Sequence, residues 1–400
     1  MVINMSEYKN VPKIRFKGFT DDWEQRKLGE IGNTFTGLSG KTKEDFGHGE
    51  AKFVTYMNVF SNPIAQLNKT EPIEIDNKQN QVEYGDVFFT TSSETPDEVG
   101  MSSVWLENKG NIYLNSFCFG FRPFVKNDPY YMAYMLRANR FRKSMTLLAQ
   151  GISRYNISKI GVMNIDIQLP NNQEQERIGK LFSEIDNLIT LHQRKCDALM
   201  NVKKSLLEKM FPKNSSNIPE IRFKGFTDVW EQRKLEEISN RFDNLRVPVS
   251  ANDREKGTTP YYGANGIQDY VKGFTHNGEF VLIAEDGAND LKNYPVKYVN
   301  GLFWANNHVH VVQGKEGICD NKYLKYCFTK TNIESLLVGG GRAKLNANIM
   351  MGIDLEIPSL NEQIKLGRMF SEIDNLITLH QRKLEKLNNI KKSMLDKMFV

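Results

Sequence analysis

Three residues in the first half of the chain have the types and spacing of a metal-dependent nuclease. Asp97 follows a proline, and Glu107 and Lys109 come shortly after it. In such enzymes two carboxylates hold Mg²⁺ while a lysine stabilises the attacking water. The second half contains no equivalent triplet, and short carboxylate–lysine spacings often arise by chance. A stand-alone Mg²⁺-dependent DNA endonuclease is therefore kept only as the alternative function.

Other fragments of catalytic motifs are incomplete. Gly40-Lys41-Thr42 resembles the end of a phosphate-binding loop, but Phe35 stands where such a loop needs glycine. Asn127-Asp128-Pro129-Tyr130 resembles the tetrad of adenine methyltransferases, but it lacks the second proline and suits a helix cap. His308 and His310 would point to one face of a strand, yet no third metal ligand is evident. The sequence therefore predicts neither catalytic residues nor a metal or cofactor in this chain.

Two polar, glycine-bearing stretches have the composition of a nucleic-acid contact. One contains Gly151 and Arg154, with the basic cluster 137–143 ahead of it, and the other contains Gly339 and Arg342. Glycine lets a backbone approach closely, Arg and Lys neutralise phosphates, and Arg or Asn can read base edges. A solvated turn would explain any one of these residues. It explains less well why the same chemistry recurs at the same place in two unlike segments.

A glycine-framed turn at 261–267 and the polar residues ahead of position 309 add aromatic and amide groups of the same kind. With the basic Lys41, these stretches give the set of predicted DNA-contacting residues: Lys41, Arg154, Tyr155, Asn156, Tyr261, Tyr262, Asn265, Asn306, Asn307, His308, Arg342, Lys344 and Asn346.

The elements that must position these residues are repeated within the chain. IRFKGFTDDWEQRKL at 14–28 recurs with one difference at 221–235, and LFSEIDNLITLHQRK at 181–195 recurs with one difference at 369–383. The segments between the repeats, roughly 29–168 and 236–356, share almost no identity. The plan is a short motif, a variable segment and a long helix, twice over.

The second repeat in each half carries heptad spacing, which predicts two long helices that pair in a coiled coil. About 38 residues at ~1.5 Å each give a rod of roughly 55 Å. Lys203 and Lys391 interrupt the apolar pattern, and His192 and His380 are interpreted as polar seam residues that fix the register. The predicted seam residues are Ile178, Phe182, Ile185, Ile189, His192 and Leu199 in the first helix, and Leu366, Phe370, Ile373, Ile377, His380 and Leu387 in the second.

The predicted fold class is α+β, a mixed α/β chain with two globular domains, two long antiparallel coiled-coil helices and an internal pseudo-twofold repeat. Asp128 and Pro129 should begin a helix that runs to about Leu148, and Asp320 should cap its counterpart in the second half. The expected parts are a repeat motif (1–23), a first globular domain (24–172), a first helix (173–211), a linker with the repeat motif (212–230), a second globular domain (231–360) and a second helix (361–400).

Composition narrows the class of protein. The net charge of +5 permits a polyanionic partner without requiring one. Four scattered cysteines without a C-x-x-C pair indicate reduced thiols in a cytoplasmic protein. No apolar run approaches membrane-spanning length, and Met5 could serve as the start as well as Met1.

Taken together, these motifs resemble the specificity (S) subunit of type I restriction–modification systems. The resemblance rests on WEQRKL at Trp23 and Trp230, YYGANGI at 261–267, NNHVHV at 306–311, and P-x-x-x-E-Q followed by I-D-x-L-I in both helices. It covers essentially the whole chain. The first domain departs from the pattern, with 113–117 reading YLNSF where 304–308 reads WANNH.

The resemblance implies two target-recognition domains, each reading half of a split, asymmetric site in double-stranded DNA. It implies that modification (methyltransferase) subunits carry S-adenosylmethionine and methylate adenine, and that a restriction subunit adds ATP- and Mg²⁺-dependent translocation and cleavage. Because the repeats present the same surface twice, two copies of the modification subunit are expected. A duplicated scaffold that binds only protein is the third hypothesis.

Overall fold

The computed structural model describes residues 11–213, 216–339 and 343–399. These residues pack into two compact units. One comprises the described residues up to His192 together with those from Lys383 onward, and the other those from Gln193 to Arg382. Each of the two long helices contributes one part to each unit, and the units are described separately below.

The strands of the first unit form two larger sheets and two two-stranded pairs. Its strands are β1 (Glu24–Lys27), β2 (Gly32–Thr36), β3 (Phe46–Val54), β4 (Ile64–Ala65), β5 (Thr70–Ile73), β6 (Val87–Thr90), β7 (Ser92–Ser93), β8 (Ser102–Trp105), β9 (Ile112–Leu114), β10 (Cys118–Pro123), β11 (Tyr155–Asn156) and β12 (Asp166–Leu169). Its helices are α1 (Tyr56–Ser61), α2 (Pro129–Met135), α3 (Asn139–Leu147), α4 (Lys159–Met163), the first part of α5 (Asn172–Lys209) and the second part of α9 (Leu360–Met398).

One sheet of the first unit has the order β2-β10-β6-β8-β4 and another has the order β5-β3-β9. Among the described strands of this unit, only the β4–β8 and β3–β9 pairs are parallel. Two further antiparallel pairs, β1–β12 and β7–β11, complete the unit.

The second unit contains the remaining elements. Its strands are β13 (Glu231–Lys234), β14 (Ser239–Arg241), β15 (Lys256–Gly263), β16 (Gly266–Val271), β17 (His276–Ala284), β18 (Val296–Ala305), β19 (Val309–Gly314) and β20 (Asp354–Ile357). Its helices, besides the second part of α5, are α6 (Leu235–Ile238), α7 (Asn321–Lys330), α8 (Ala347–Met351) and the first part of α9 (Leu360–Met398). The main sheet has the order β14-β19-β17-β18-β15-β16, and β13 pairs with β20. The predicted α+β class with two long helices is confirmed.

The repeated motifs build the same frame in both units. In the first unit, Glu24 of β1 lies opposite Leu169 of β12, directly ahead of α5. In the second unit, Glu231 of β13 lies opposite Ile357 of β20, directly ahead of α9. The WEQRKL motif therefore pairs with the strand that leads into a long helix.

A buried glutamate fixes the start motif to the first turn of each long helix. Glu174 is fully buried and accepts hydrogen bonds from the Arg15 guanidinium at 2.7 and 2.8 Å, and from Trp23 Nε1 at 3.2 Å. Glu362 accepts two bonds from Arg222, both at 2.7 Å. Bidentate pairing satisfies a carboxylate that would otherwise be costly to bury. This explains why the E of P-x-x-x-E-Q accompanies the R of IRFKGF.

The glutamine of the P-x-x-x-E-Q motif binds the turn that caps the N-terminus of a helix in each globular part. Gln175 accepts from the Asp128 backbone N–H at 3.0 Å, and Gln363 accepts from that of Asp320 at 3.0 Å. Asp128 caps α2 and Asp320 caps α7 through the backbone N–H three residues on, at 2.7 and 2.8 Å. The two predicted helix caps are therefore confirmed.

The single helix predicted from 129 to 148 is wrong, because the chain bends between α2 and α3. Arg137 lies in this bend, and its guanidinium donates to the backbone carbonyls of Val59, Phe60, Asn62 and Ser102. Burial lowers the pKa of Arg137 to about 10. The break in the helix places this guanidinium where it satisfies carbonyls from distant segments, which sequence spacing alone does not reveal.

The long helices run antiparallel within each unit. In the first unit, Phe399 at the end of α9 packs against Phe182 of α5 and Tyr131 of α2, with ring centroids 5.5 Å away in both cases. In the second unit, Phe211 just after α5 packs against Phe370 of α9 at 6.1 Å. Each globular core is thus completed by an aromatic residue from the end of the other repeat's helix.

Candidate nucleic-acid interface

Each unit closes a short hairpin at the end of its variable segment. In the first unit, Gln150 and Asn156 exchange backbone hydrogen bonds of 3.0 and 2.9 Å. In the second unit, Val338 and Lys344 exchange two bonds of 2.9 Å. We call these the first and second hairpins. The two loops have equal length and occupy the same place relative to the repeats, although their sequences differ.

A glycine opens each hairpin loop. Gly151 has a φ of 143° and Gly339 a φ of 99°, in the region that residues with a Cβ rarely adopt. A Cβ on Gly151 would also lie 2.1 Å from the Arg154 carbonyl oxygen. The glycines singled out in the sequence therefore shape the hairpins.

The first hairpin brings Arg154, Tyr155 and Asn156 together. Arg154 and Asn156 are exposed and Tyr155 is half-buried. Tyr155 and Asn156 pair with Ser93 and Ser92 as β11 and β7, and Arg154 Nε donates to Ser92 Oγ at 3.2 Å. These contacts fix the base of the hairpin, while Arg154 remains an exposed residue.

Two other basic side chains of the first unit, Lys41 and Arg142, bind groups within the unit. Lys41 lies 2.9 Å from Asp76 and 3.7 Å from Asp45, so its charge is already compensated. In the basic cluster, Arg142 donates to the carbonyls of Gly100, Asp97 and Val99, and burial lowers its pKa to about 10. Neither Lys41 nor Arg142 contacts the first hairpin loop through any of these bonds.

The turn at 261–267 is divided between buried and accessible residues. Tyr261 is buried, with its hydroxyl bonded to the Val249 backbone and the Arg254 guanidinium 4.2 Å from its ring centroid. Tyr262 is half-buried. Asn265 is exposed, and its amide bridges two backbone groups, donating to Gly287 O and accepting from Asn289 N.

One residue of the polar triplet at 306–308 is buried and stabilises the local backbone. Asn306 is 4 % exposed and its side-chain oxygen accepts from the His308 backbone N–H at 2.8 Å. Asn115 does the same for Phe117 at 2.9 Å in the first unit. The two segments are therefore equivalent despite their different sequences. Asn307 is exposed, and His308 lies 2.6 Å from Asp286 through Nδ1.

The second hairpin has Lys344 at its base and Asn346 directly after it. Lys344 pairs with Glu285 at 2.8 Å, and both Lys344 and Asn346 are half-buried. Arg342, which was predicted to contact DNA, lies outside the described residues, as do Gly340 and Gly341.

Sequence reasoning missed a buried charge cluster beneath the second hairpin. Ligand atoms of Asp243, Glu285 and His310 all lie within 4.8 Å of one another. Arg246 Nη1 lies 2.6 Å from Glu285, on which Lys344 also converges, so cations of the chain itself compensate these carboxylates. We therefore describe the group as a charge network. The only sequence signal was the His308–His310 alternation, because the acidic members are distant in sequence.

The predicted seam residues alternate with exposed positions along both helices. Six are buried and six are partly buried. The buried ones are Ile178, Phe182, Ile185, Leu366, Phe370 and Ile377, and the partly buried ones are Ile189, His192, Leu199, Ile373, His380 and Leu387.

The residues of the alternative nuclease site, Asp97, Glu107 and Lys109, are all exposed.

Among the helices of the described residues, none combines the length and apolar character needed to cross a membrane.

Comparison with known proteins identifies the family. A family model described as the type I restriction modification DNA specificity domain matches residues 20–201 and 227–389. The chain belongs to this family. The two matches coincide with the two halves of the internal repeat and together cover most of the chain.

Individual relatives of the specificity subunit agree with this assignment. A Haemophilus influenzae protein provisionally named a type I restriction enzyme specificity subunit is 43 % identical over 164 residues, which is 41 % of this chain and 42 % of that protein. The match thus spans less than half the length of that relative. A Methanocaldococcus jannaschii protein, provisionally named the type I restriction enzyme MjaX specificity subunit, is 24 % identical over 99 % of this chain and 97 % of its own.

The fold of the specificity subunit is also found in a solved structure. The crystal structure of the type I restriction–modification system S subunit from M. genitalium superposes with a TM-score of 0.71, at 15 % identity, over 98 % of this chain and 99 % of that one. Family membership confirms the interpretation of the chain as a DNA-recognition subunit without catalysis of its own. None of these matches supports the endonuclease alternative.

Proposed function

We propose that the two globular parts of this specificity subunit each read one half of a bipartite, asymmetric DNA site. The observation that carries the proposal is the matched pair of hairpins, Gln150–Asn156 and Val338–Lys344, built on one repeated frame. A repeated frame with unlike hairpin residues is suited to two different recognition tasks in similar positions.

The accessible side chains around the first hairpin suit a contact with nucleic acid. Arg154 offers a guanidinium that can bind a phosphate or a guanine edge, and Asn156 offers an amide that can pair with adenine. Asn265, Asn307 and Lys344 are the accessible or partly accessible candidates in the second unit. Lys41, Tyr261 and Asn306 are held in internal contacts, so we assign them supporting roles.

The repeated surfaces are proposed to dock two copies of a modification subunit. Nearly identical start motifs and helix segments present the same chemistry in both halves, which permits one kind of partner to bind twice. S-adenosylmethionine would be bound by that partner, and ATP with Mg²⁺ by a restriction subunit. A cytoplasmic location, where DNA and these cofactors are available, fits this role.

The proposal is tested by selecting bound sequences from a randomised duplex library with the complex of this chain and its modification subunit. We expect a split motif, of which the first half alone loses sequence preference in Arg154→Ala. Lys180→Ala is the matched control, since this lysine is exposed on α5 and pairs there with Glu184. A motif that Arg154→Ala leaves unchanged in sequence and strength would refute the assignment of the first hairpin.

A further inference from the structure

The turn directly ahead of β10 carries an exposed phenylalanine on a fixed backbone. Phe117 is 58 % exposed. Its backbone N–H donates to Asn115 Oδ1 at 2.9 Å, and its carbonyl oxygen accepts from Thr91 N at 3.0 Å and from Thr91 Oγ1 at 2.8 Å. Hydrogen bonds on both sides therefore hold the main chain in place, while more than half of the residue stays accessible to solvent.

This turn is joined to the first hairpin through a single residue. The Thr91 carbonyl oxygen accepts from Ile157 N, directly after the hairpin, at 3.1 Å. Ser92, the next residue of the chain, pairs with Asn156 of the hairpin itself. Because Thr91 binds the turn on one side and the hairpin strand on the other, Phe117 belongs to the surface that we propose to contact DNA.

The second unit repeats this arrangement with a different side chain. Glu285 N donates to the His308 carbonyl oxygen at 2.9 Å, and Leu345 N, directly after the second hairpin, donates to the Glu285 carbonyl oxygen at 2.7 Å. Phe117 therefore occupies the place of His308, which the sequence predicted to contact DNA. The first unit has a phenyl ring where the second unit has an imidazole.

The first surface contains a second exposed apolar side chain. Ile152, in the loop of the first hairpin, is 96 % exposed. Exposed apolar groups that lie on one functional surface indicate a partner that covers them. A partner that binds both halves would contact the repeated segments, whereas Phe117 and Ile152 belong to the variable segment. DNA, which the variable segment is proposed to read, is therefore the partner that fits them.

We propose that Phe117 is a specificity-determining residue that selects thymine in the half-site read by the first unit. The inference rests on the proposed function, which brings this surface to the DNA. In the major groove thymine is the base that presents a methyl group, and a phenylalanine ring can contact it. Such a contact removes apolar surface of the ring and of the methyl group from water, and no other base offers the same gain.

Replacement of thymine by uracil tests the proposal, because uracil keeps the base pair and lacks only the methyl group. The duplex is the tightest-binding sequence selected from a randomised library by the complex of the full chain with its modification subunit. Each thymine of that duplex is replaced in turn. At least one replacement, in one half of the motif only, should weaken binding by the wild type about fourfold, the value of one methyl group removed from water.

Variants of Phe117 assign the effect to its ring. Phe117→Ala should bind the thymine duplex about as weakly as the wild type binds the uracil duplex, and uracil should weaken it no further. Phe117→Leu retains an apolar side chain and should keep part of the preference for thymine. Phe124→Ala is the matched control and should behave as the wild type, since Phe124 is 63 % exposed and lies at the opposite end of β10.

Three results would overturn the proposal: no effect of uracil at any thymine, an undiminished effect in Phe117→Ala, or failure of Phe117→Ala to form the complex with the modification subunit. The last result would place the ring in a protein contact. All three leave a split motif standing. Conversely, a selected motif that is not split would refute the proposed function, while an effect of uracil that disappears in Phe117→Ala would still support the thymine contact.

Discussion

The Lys203 ammonium lies 2.6 Å from the Asp374 carboxylate, and this ion pair fills the gap in the apolar seam of α5. Asp374 also accepts from the Tyr326 hydroxyl at 2.8 Å and from Lys325. The same arrangement recurs in the first unit, where Lys391 lies 2.5 Å from Asp186. The lysines that interrupt the heptads thus connect the two helices to a tyrosine of the globular part.

Removing Asp374 should destabilise the second unit strongly. Asp374→Ala leaves Lys203 and the largely buried Lys325 without their shared anion, which should cost about 3 kcal/mol. Denaturant unfolding measures the loss. Glu372→Ala removes only an exposed pair with Arg368 and should cost less than about 1 kcal/mol. Equal effects of the two variants would contradict the role given to Asp374.

The Asp374 carboxylate should also make the stability of the folded chain depend on pH. Burial acts to raise the pKa of Asp374, but Lys325 and Lys203 outweigh it and lower that pKa below its ordinary value. A carboxyl whose pKa is lower in the folded chain stabilises it above the unfolded-state pKa, and this stability is lost as the pH falls through the folded-state pKa. Wild type should therefore lose more stability than Asp374→Asn on acidification below about pH 4. Parallel curves would argue against the ion pair.

Two glycines should be required where the long helices meet the capping turns. A Cβ on Gly179 would lie 2.3 Å from Asp128 Oδ1 and 2.7 Å from Tyr131 N, and one on Gly367 would meet the equivalent atoms at 2.6 and 2.7 Å. Alanine favours a helix by about 1 kcal/mol, but this overlap should cost more and leave a net loss of about 1–3 kcal/mol.

Thermal unfolding of Gly179→Ala and Gly367→Ala tests whether each substitution lowers the stability of the fold. Gly110→Ala is the matched control, because a Cβ there meets nothing within 4 Å. Stabilisation by either helix variant would show that the helix does not approach the cap as closely as described.

Helix length should set the spacing of the two half-sites. Seven residues added to each long helix preserve the heptad seam, because they keep the apolar positions on one helix face. Selection from a randomised library should then return both half-sites unchanged with a longer gap between them. A change within either half-site would mean that the helices do more than set the spacing.

The repeated frame could be predicted from the sequence, whereas the charge network could not. Heptad spacing in α5 and α9 and the caps at Asp128 and Asp320 depend on residues a few positions apart, which a single sequence displays. The burial of Asn306 and the setting of His310 depend on partners tens of residues away. Long-range contacts of this kind also break the expected helix at Arg137.

Mapping N6-methyladenine in DNA from cells that express this chain with its modification subunit would show whether the two globular parts read different half-sites. We expect a split, asymmetric motif methylated in both halves, and exchange of residues 150–156 for another hairpin should alter one half only. A continuous or palindromic motif, or a hairpin exchange that alters both halves, would contradict this expectation.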